Sequence, residues 1–353
     1  MGVIWDLVLA GAVALTGSVI VCRAVIGSPI LDAPDTTRKA HRAPTPTSGG
    51  LGVALGFALG LVALSSISVV WRHEISEHGA LMSTIASAFA YACLVLGFLD
   101  DAFPLGPRLK FLVFSALAVG AALAVGLVRA LPLGAETIEL AFPWALLGTA
   151  LWVFTFVNCV NFMDGANGLA MGSVAIGLIA LAAIAVNEGA ISGAGMAACG
   201  AGALIGFLYW NFPDGRLFAG DSGALFAGAV ACLASLVVIQ LGALSPFVAP
   251  ILFFPLLADA LLTLAWRASR GRSLLDGHAE HLYQIAQRAG WGRRRIAVYY
   301  WLAMAFCGLI GFAVAQAPET PAAPIALGGL ALTAMVISAL VRRAAMKAGI
   351  AEI

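Results

Sequence analysis

Residues 169–187 read LAMGSVAIGLIALAAIAVN and contain no charged side chain. A run of this length is close to the roughly 20 residues that a helix needs to cross a bilayer. Similar apolar runs recur from end to end of the 353-residue chain, in which 61% of the residues are hydrophobic and only 10% are charged. Because a soluble domain carries about 25% charged residues, the composition predicts an integral membrane protein and argues against a soluble protein with a large core.

The apolar segments also predict the fold class. Eleven can be counted, at about residues 3–26, 49–70, 80–99, 110–130, 143–160, 169–187, 191–210, 222–241, 245–266, 296–316 and 322–341. Their length favours helices, because strands of a membrane barrel need only about 9–11 residues. We therefore predict an all-α polytopic membrane protein with about 11 transmembrane helices. No internal repeat divides the chain, so residues 1–353 should form a single integral-membrane domain.

Glycine is abundant, with 40 residues, and the segments 191–210 and 222–241 contain Gly193, Gly195, Gly200, Gly202, Gly206 and Gly228. Small residues let membrane helices approach one another closely. These two segments are therefore predicted to be tightly packed helices in the interior of the bundle.

The positions of lysine and arginine predict the orientation, since these residues favour the cytoplasmic side of a membrane. With the N-terminus outside, only Arg72 and Arg129 of the 19 basic residues fall in outer loops. An odd number of spans then places the C-terminus in the cytoplasm. The loops that face the cytoplasm lie near residues 28–48, 100–110, 158–168, 211–221 and 267–295.

The first polar motif, residues 97–110, reads GFLDDAFPLGPRLK and follows the third apolar segment. Asp100 and Asp101 would repel each other beside a region of low dielectric, unless a divalent cation lay between them. The alternative is a solvated helix end, but acids at a helix C-terminus face the unfavourable end of the helix dipole. Arg108 and Lys110 would then meet phosphate charge at the metal.

The second motif, residues 158–169, places Asn158, Asn161, Asp164 and Asn167 at intervals of three residues. Amide and carboxylate groups form directional hydrogen bonds, so this spacing at a membrane boundary predicts a ligand-binding segment. An Asx-rich turn with a helix N-cap is the alternative, and it suits Asn167 in part.

The third motif, residues 211–223, ends with Asp221 and Ser222 at the start of the eighth apolar segment. A capping role alone would explain an aspartate there. A helix N-terminus also suits phosphate, and Asp221 could supply a further carboxylate to a metal.

The fourth motif is the basic loop 267–295, which contains His278 and His281. Histidines three residues apart share a face if the segment is helical. Without a third histidine or a cysteine, a zinc site is a poor interpretation. Hydrogen bonds to a phosphate or a sugar fit better, and ordinary loop histidines are the alternative.

The fifth motif, residues 35–50, contains Arg38, Lys39 and His41 and ends in two glycines. A basic loop beside anionic lipid would explain it. Capture of a phosphate group is the functional interpretation.

In this order, from about Asp35 to Gly290, the five motifs resemble the polyprenyl-phosphate N-acetylhexosamine-1-phosphate transferases, glycosyltransferase family 4. This family includes the undecaprenyl-phosphate GlcNAc-1-phosphate and phospho-MurNAc-pentapeptide transferases. The resemblance implies that Asp100, Asp101 and Asp221 are catalytic carboxylates and ligands of Mg²⁺, with Mn²⁺ as an alternative. The candidate substrate-binding residues are Arg38, Lys39, His41, Lys110, Asn158, Asn161, Asp164, Asn167, His278 and His281.

Two departures from the family pattern refine this expectation. Many members have a second aspartate where this chain has Asn167, which argues against Asn167 as an obligatory metal ligand or base. Residues 278–284, HAEHLYQ, lack the triple histidine of the muramyl-pentapeptide branch. They look more like members that initiate O-antigen or exopolysaccharide chains.

The resemblance implies transfer of a sugar-1-phosphate from a UDP-sugar to undecaprenyl phosphate at the bacterial inner membrane, with release of UMP. The product would initiate a cell-envelope glycan such as the O-antigen of lipopolysaccharide or an exopolysaccharide. Phospho-MurNAc-pentapeptide transfer in peptidoglycan synthesis is the alternative. Expected partners are the UDP-sugar, the polyprenyl phosphate and membrane lipid but no nucleic acid, and a homodimer is left open. A transporter would place ionisable residues at mid-span, whereas only Asp259 lies deep within a span rather than near one of its ends.

The distribution of charge generates a topology prediction. In a background without the six native cysteines, Asp100→Cys, Asp164→Cys and Asp221→Cys should resist a membrane-impermeant thiol reagent added outside intact cells. Glu136→Cys, in a predicted outer loop, should react readily and serves as the control. Ready labelling at position 100 or 221 would contradict a cytoplasmic site.

Overall fold

The computed structural model describes residues 2–27, 31–32, 45–71, 75–103, 105–242, 244–274 and 277–350. Its helices are α1 Gly2–Val25, α2 Gly49–Trp71, α3 Glu77–Ala102, α4 Pro107–Val125, α5 Phe142–Met163, α6 Leu169–Asn187, α7 Ile191–Asn211, α8 Gly220–Gln240, α9 Val248–Leu252, α10 Phe254–Ser269, α11 Leu282–Arg288, α12 Arg293–Ala315 and α13 Ala322–Lys347. Arg38, Lys39 and His41 lie outside the described residues, so their role in phosphate capture stays a prediction.

Two short antiparallel strand pairs complete the described structure. Strands β1 (Leu31–Asp32) and β2 (Thr45–Pro46) flank the first basic loop, and β3 (Ala130–Pro132) pairs with β4 (Thr137–Glu139) between α4 and α5. The remainder of the regular structure is helical.

Ten of the described helices are long and apolar enough to cross a membrane, which confirms the predicted all-α polytopic fold. The predicted span at 245–266 is different, because it consists of the 5-residue α9 and the 16-residue α10, joined at Phe253. Pro255 explains the break. A proline has no N–H, and inside one continuous helix its ring would clash with the carbonyl four residues earlier, that of Ile251.

Helix α8 lies at the centre of the bundle and packs against α2, α3, α5 and α7. Nearly all of its residues are buried, and most of those in α7 are too. This confirms the prediction that the two glycine-rich segments are interior helices. By contrast, α13 leaves most of its surface outside the bundle, where its apolar side chains suit contact with lipid.

Several helix ends meet at one end of the bundle, called the site end below. Helices α3, α5 and α7 finish there, whereas α4, α6 and α8 begin there. Their ends are joined by hydrogen bonds, such as those from the start of α8 to Asp101 and from Gly168 to Asn211. The start of α2 is attached as well, since the Gly49 N–H donates to the Phe218 carbonyl at 3.0 Å.

At the site end, α3 approaches α8 closely at Gly97. A Cβ atom on Gly97 would lie 2.5 Å from the backbone carbon and oxygen of Asp221 and from the backbone nitrogen of Ser222. No side chain fits there unless one helix moves. Glycine at position 97 therefore fixes how near α3 comes to the first turn of α8.

Replacing Gly97 should separate the two helices. We expect Gly97→Ala to lower the free energy of unfolding by about 1–3 kcal/mol, the usual cost of overpacking. Thermal unfolding of purified protein in detergent measures the change. Gly106→Ala is a matched control, because a Cβ at position 106 would meet nothing within 4 Å and φ there is −63°. Equal midpoints for the two variants would contradict the proposed constraint.

Candidate active site

A lysine joins two of the predicted catalytic carboxylates. The Lys110 ammonium, near the start of α4, lies 2.6 Å from Asp100 Oδ2 and 2.9 Å from Asp221 Oδ2. Asp100 is in the last turn of α3 and Asp221 is in the first turn of α8, so the two residues are distant in sequence. The structure thus brings residues of the first and third motifs to one point.

Asp100 also shapes the turn between α3 and α4. Its second oxygen, Oδ1, accepts a hydrogen bond from the Leu105 N–H at 2.8 Å. One carboxylate oxygen of Asp100 therefore accepts from the backbone, and the other accepts from Lys110. This fixes the carboxylate direction while leaving it partly exposed.

Asp101 has a role that the motif did not reveal. Its Oδ1 accepts from the backbone N–H of Asp221 at 2.9 Å, and its Oδ2 accepts from that of Ser222 at 3.0 Å. The first N–H groups of a helix have no partner within the helix, and a negative charge there is favourable. Asp101 therefore caps α8 from a neighbouring helix. Its assignment as a metal ligand stays a prediction.

The cap formed by Asp101 also decides between the interpretations of Asp221. The sequence left open whether Asp221 caps α8, but the α8 amides bond to Asp101. This frees the Asp221 carboxylate to bond to Lys110 and to Asn161, whose Nδ2 donates to Oδ1 at 3.1 Å. Asn161 thereby joins the second motif to Asp100, Lys110 and Asp221, and these four residues with Asp101 and Asp164 are called the cluster.

Asp164 adds a further carboxyl group. It follows the last residue of α5, and its side chain is half-buried. Burial, and then the nearby charges of Asp221 and Asp101, raise the pKa of the Asp164 carboxyl well above its usual value. With Asp100, four carboxyl groups gather here, and the single ammonium of Lys110 pairs with two of them, Asp100 and Asp221.

Two other asparagines of the second motif bond elsewhere. The Asn158 Nδ2 donates to the Phe154 carbonyl, one turn back in α5, at 2.7 Å. The Asn167 side chain is buried, and its Nδ2 donates to the Pro213 carbonyl at 3.0 Å. Asn167 therefore links the loop before α6 to the loop before α8. The predicted contacts of Asn158 and Asn167 with substrate stay predictions.

Asn211 is a buried residue to which the sequence analysis gave no role. Its Oδ1 accepts from the Gly168 N–H at 2.7 Å, and its Nδ2 donates to the Leu217 carbonyl at 2.9 Å. A single amide thus joins the second motif to the third. The sequence did offer a signal for this role, because Asn211 ends an apolar span, and an amide buried there needs hydrogen-bond partners.

The histidines of the fourth motif lie beside the second motif. The His281 ring is buried, with its centroid 4.8 Å from that of His278 and 6.2 Å from that of Phe162. The Tyr283 hydroxyl donates to the Phe162 carbonyl at 3.3 Å. The fourth motif is therefore in contact with the end of α5, just before Asp164.

The two histidines do not share a helix, so the helical spacing considered for them does not apply. Helix α11 starts at Leu282, His281 is its N-cap, and residues 277–280 form no helix. The rings lie together through side-chain packing instead. Burial, followed by the charges of His281 and Arg267, lowers the pKa of His278 to about 4, so its ring is neutral at pH 7.

The residues of the cluster fit a magnesium ion in part. Among the described residues, no three His, Cys, Asp or Glu side chains lie close enough to form a metal site by themselves. However, Asp100 and Asp221 converge on one cation, the Lys110 ammonium. Mg²⁺ commonly uses one or two carboxylates and completes its shell with water and substrate phosphates. These two carboxylates would suit such an ion.

Comparisons with known proteins point to one family. The chain is 30% identical to the decaprenyl-phosphate N-acetylglucosaminephosphotransferase of Mycobacterium leprae, over 84% of this chain and 80% of the relative. It is 30% identical to a probable undecaprenyl-phosphate N-acetylglucosaminyl 1-phosphate transferase of Bacillus subtilis, over 59% and 55%. It is 27% identical to the phospho-N-acetylmuramoyl-pentapeptide-transferase of Mycobacterium avium, over 86% and 95%.

A family model agrees with these relatives. Residues 81–239 match the model of glycosyl transferase family 4, a range that includes Asp100, Lys110, Asn161, Asp164 and Asp221. The apolar helices and the bacterial relatives together indicate a multi-pass bacterial membrane protein. The chain belongs to glycosyl transferase family 4, the family that its five loop motifs predict.

Proposed function

We propose that this chain transfers a sugar-1-phosphate from a UDP-sugar to a polyprenyl phosphate and releases UMP. One observation carries the proposal. In a member of glycosyl transferase family 4, Asp100 and Asp221 come from separate loops and converge on a single cation at the site end. Such an arrangement suits a reaction between two phosphate-bearing anions.

The charges of the site suit this chemistry. A Mg²⁺ ion held by Asp100 and Asp221 would neutralise the pyrophosphate and stabilise the departing UMP. Lys110 would then be released from the carboxylates to bind phosphate oxygens. A phosphate monoester has a second pKa near about 6, so the attacking group is already largely ionised at neutral pH and needs no strong base.

The other motifs supply candidate contacts to the donor. Asn161 and Asp164 would bind the nucleotide, and His278 and His281 would bind the pyrophosphate or the sugar. His278 is neutral at pH 7, so its ring can accept a hydrogen bond as well as donate one. The excess of basic residues in the loops at this end supports a cytoplasmic orientation.

For the sugar, we propose an N-acetylhexosamine and a product that initiates an O-antigen or exopolysaccharide. The names of the Mycobacterium leprae and Bacillus subtilis relatives support this choice. Phospho-MurNAc-pentapeptide transfer is the second candidate, favoured by the Mycobacterium avium relative, which matches over 95% of its length. Residues 278–281 read HAEH and lack the triple histidine of the muramyl-pentapeptide branch, which supports the N-acetylhexosamine donor.

A donor screen tests the function. Purified protein with undecaprenyl phosphate and Mg²⁺ should release UMP from a UDP-N-acetylhexosamine, and a chelator should stop the release. UDP-MurNAc-pentapeptide should give none. Release from the muramyl donor alone would favour the second candidate, and release from no UDP-sugar would contradict the proposed reaction.

Cation binding separates the roles of the three aspartates. Asp100→Asn and Asp221→Asn should weaken Mn²⁺ binding by about tenfold or more, because even a residue that only supports a metal ligand contributes about 10–100-fold. Asp101→Asn should mainly lower stability, by about 1–3 kcal/mol, since one α8 amide would lose its acceptor. Electron paramagnetic resonance of Mn²⁺ without substrate, with thermal unfolding, measures both.

The control for this experiment is Glu136→Gln, because Glu136 lies between β3 and β4, well outside the cluster. It should bind Mn²⁺ as the parent protein does. If Asp101→Asn lost Mn²⁺ as strongly as Asp221→Asn while keeping its unfolding temperature, Asp101 would be a ligand and its capping role would be secondary.

A further inference from the structure

Asp259 is a buried acid that the proposed chemistry does not use. It lies in α10, and only 3% of its surface is exposed. A carboxylate in such surroundings is costly unless its oxygens are hydrogen-bonded. Its partners therefore indicate what the residue does.

Two of these partners are backbone amides of α11. The Leu282 N–H donates to Asp259 Oδ1 at 2.7 Å, and the Tyr283 N–H donates to Oδ2 at 3.3 Å. They are the first amides of the helix, which have no acceptor within it. Asp259 thus fixes the start of α11 on α10.

Two hydroxyl groups complete the environment of the carboxylate. The Tyr300 hydroxyl donates to Oδ2 at 2.6 Å, and the Thr263 hydroxyl donates to Oδ1 at 3.2 Å. Tyr300 belongs to α12 and Thr263 to α10. Asp259 therefore ties three helices together at the point where α11 begins.

The residue before His281 is fixed from the other side. Glu280 forms ion pairs with Arg267 and Arg272, and the Arg342 Nη1 donates to the Glu280 carbonyl at 3.1 Å. The chain is thus held at Glu280 and again at Leu282, and His281 is between the two points. Its ring has little freedom to move.

Asp259 does not bond to the His281 ring in this arrangement. The Nδ1 of His281 is 3.8 Å from Asp259 Oδ1, beyond hydrogen-bond range. Within the described part of the chain, the Nδ1 atoms of both His281 and His278 are buried without a hydrogen-bond partner. The ring is therefore placed by its backbone and by packing, and its Nδ1 lies on the side of the Asp259 carboxylate.

We propose that Asp259 is a positioning residue, which holds His281 against the end of α5 by anchoring the first turn of α11. The inference rests on the proposed function, because it takes His281 to contact the donor. Asp259 itself touches no substrate. Its effect passes through the backbone of Leu282 and Tyr283.

The test uses Asp259→Asn, which keeps the volume but replaces one acceptor oxygen by an NH₂ group. We expect hydrogen–deuterium exchange at residues 282–288 to become faster. We also expect kcat/KM for the UDP-sugar to fall by on the order of 10²-fold per folded molecule, the loss typical of a displacement of about 1 Å. The KM for the polyprenyl phosphate should not change.

A double mutant distinguishes positioning from general stability. If Asp259 acts through His281, Asp259→Asn combined with His281→Ala should lose no more activity than His281→Ala alone, because coupled residues are non-additive. Additive losses would overturn the inference. Thr263→Ser is the control, since it keeps the hydroxyl that donates to the same carboxylate and accepts from the Arg342 Nη2. It should retain a normal kcat/KM for the UDP-sugar.

Tyr300→Phe covers the case in which Asp259→Asn does not fold. It removes the shortest hydrogen bond to Asp259, and it should change exchange in α11 and kcat/KM for the UDP-sugar in the same directions, by smaller amounts. If neither changes, the inference fails. The proposed function fails separately, if the unmodified protein releases no UMP from any donor. Exchange in α11 would still show whether Asp259 holds that helix.

Discussion

The arrangement of the site end depends on keeping carboxylates charged beside an apolar bundle. An ionised carboxylate near low dielectric is costly unless hydrogen bonds or opposite charges compensate it. Asp100 and Asp221 are compensated by Lys110, and Asp101 is compensated by the first amides of α8. Burial and the charges of Asp221 and Asp101 raise the pKa of the Asp164 carboxyl, which favours its neutral form. The negative charge that remains is the property that would attract a divalent cation.

Close packing converts this electrostatic requirement into a defined geometry. Asp101 reaches the amides of α8 because Gly97 lets α3 lie against the first turn of that helix. Asn211 joins the loop before α6 to the loop before α8 by spanning from Gly168 to Leu217. Polar residues that resemble ligand contacts in the sequence thus also hold the loops in register. A site that binds two anionic substrates needs such rigidity, because it must hold like charges close together.

The histidine segment shows a second use of buried charge. The ninth apolar segment is broken near Pro255, and the resulting short helix α10 contacts α5, α12 and α13. It carries Asp259, which binds the backbone just after His281, and Arg267, which pairs with the Glu280 side chain just before it. Because both groups are buried and paired, the loop is attached firmly to the bundle at this point. The segment therefore lies beside the carboxylates as part of the scaffold.

The sequence alone determined the class of the protein, because uncharged runs of about 20 residues have few stable alternatives to membrane helices. It also identified the family, and it singled out Asp100, Lys110, Asn161 and Asp221 as candidates, since polar groups at span ends stand out against an apolar background. Tertiary structure decided what each of them contacts. The cap on α8 by Asp101, the bridge by Asn211 and the anchor at Asp259 join residues that are 6 to 121 positions apart. Such contacts depend on how the helices pack against one another, and a local pattern of residues does not predict that packing.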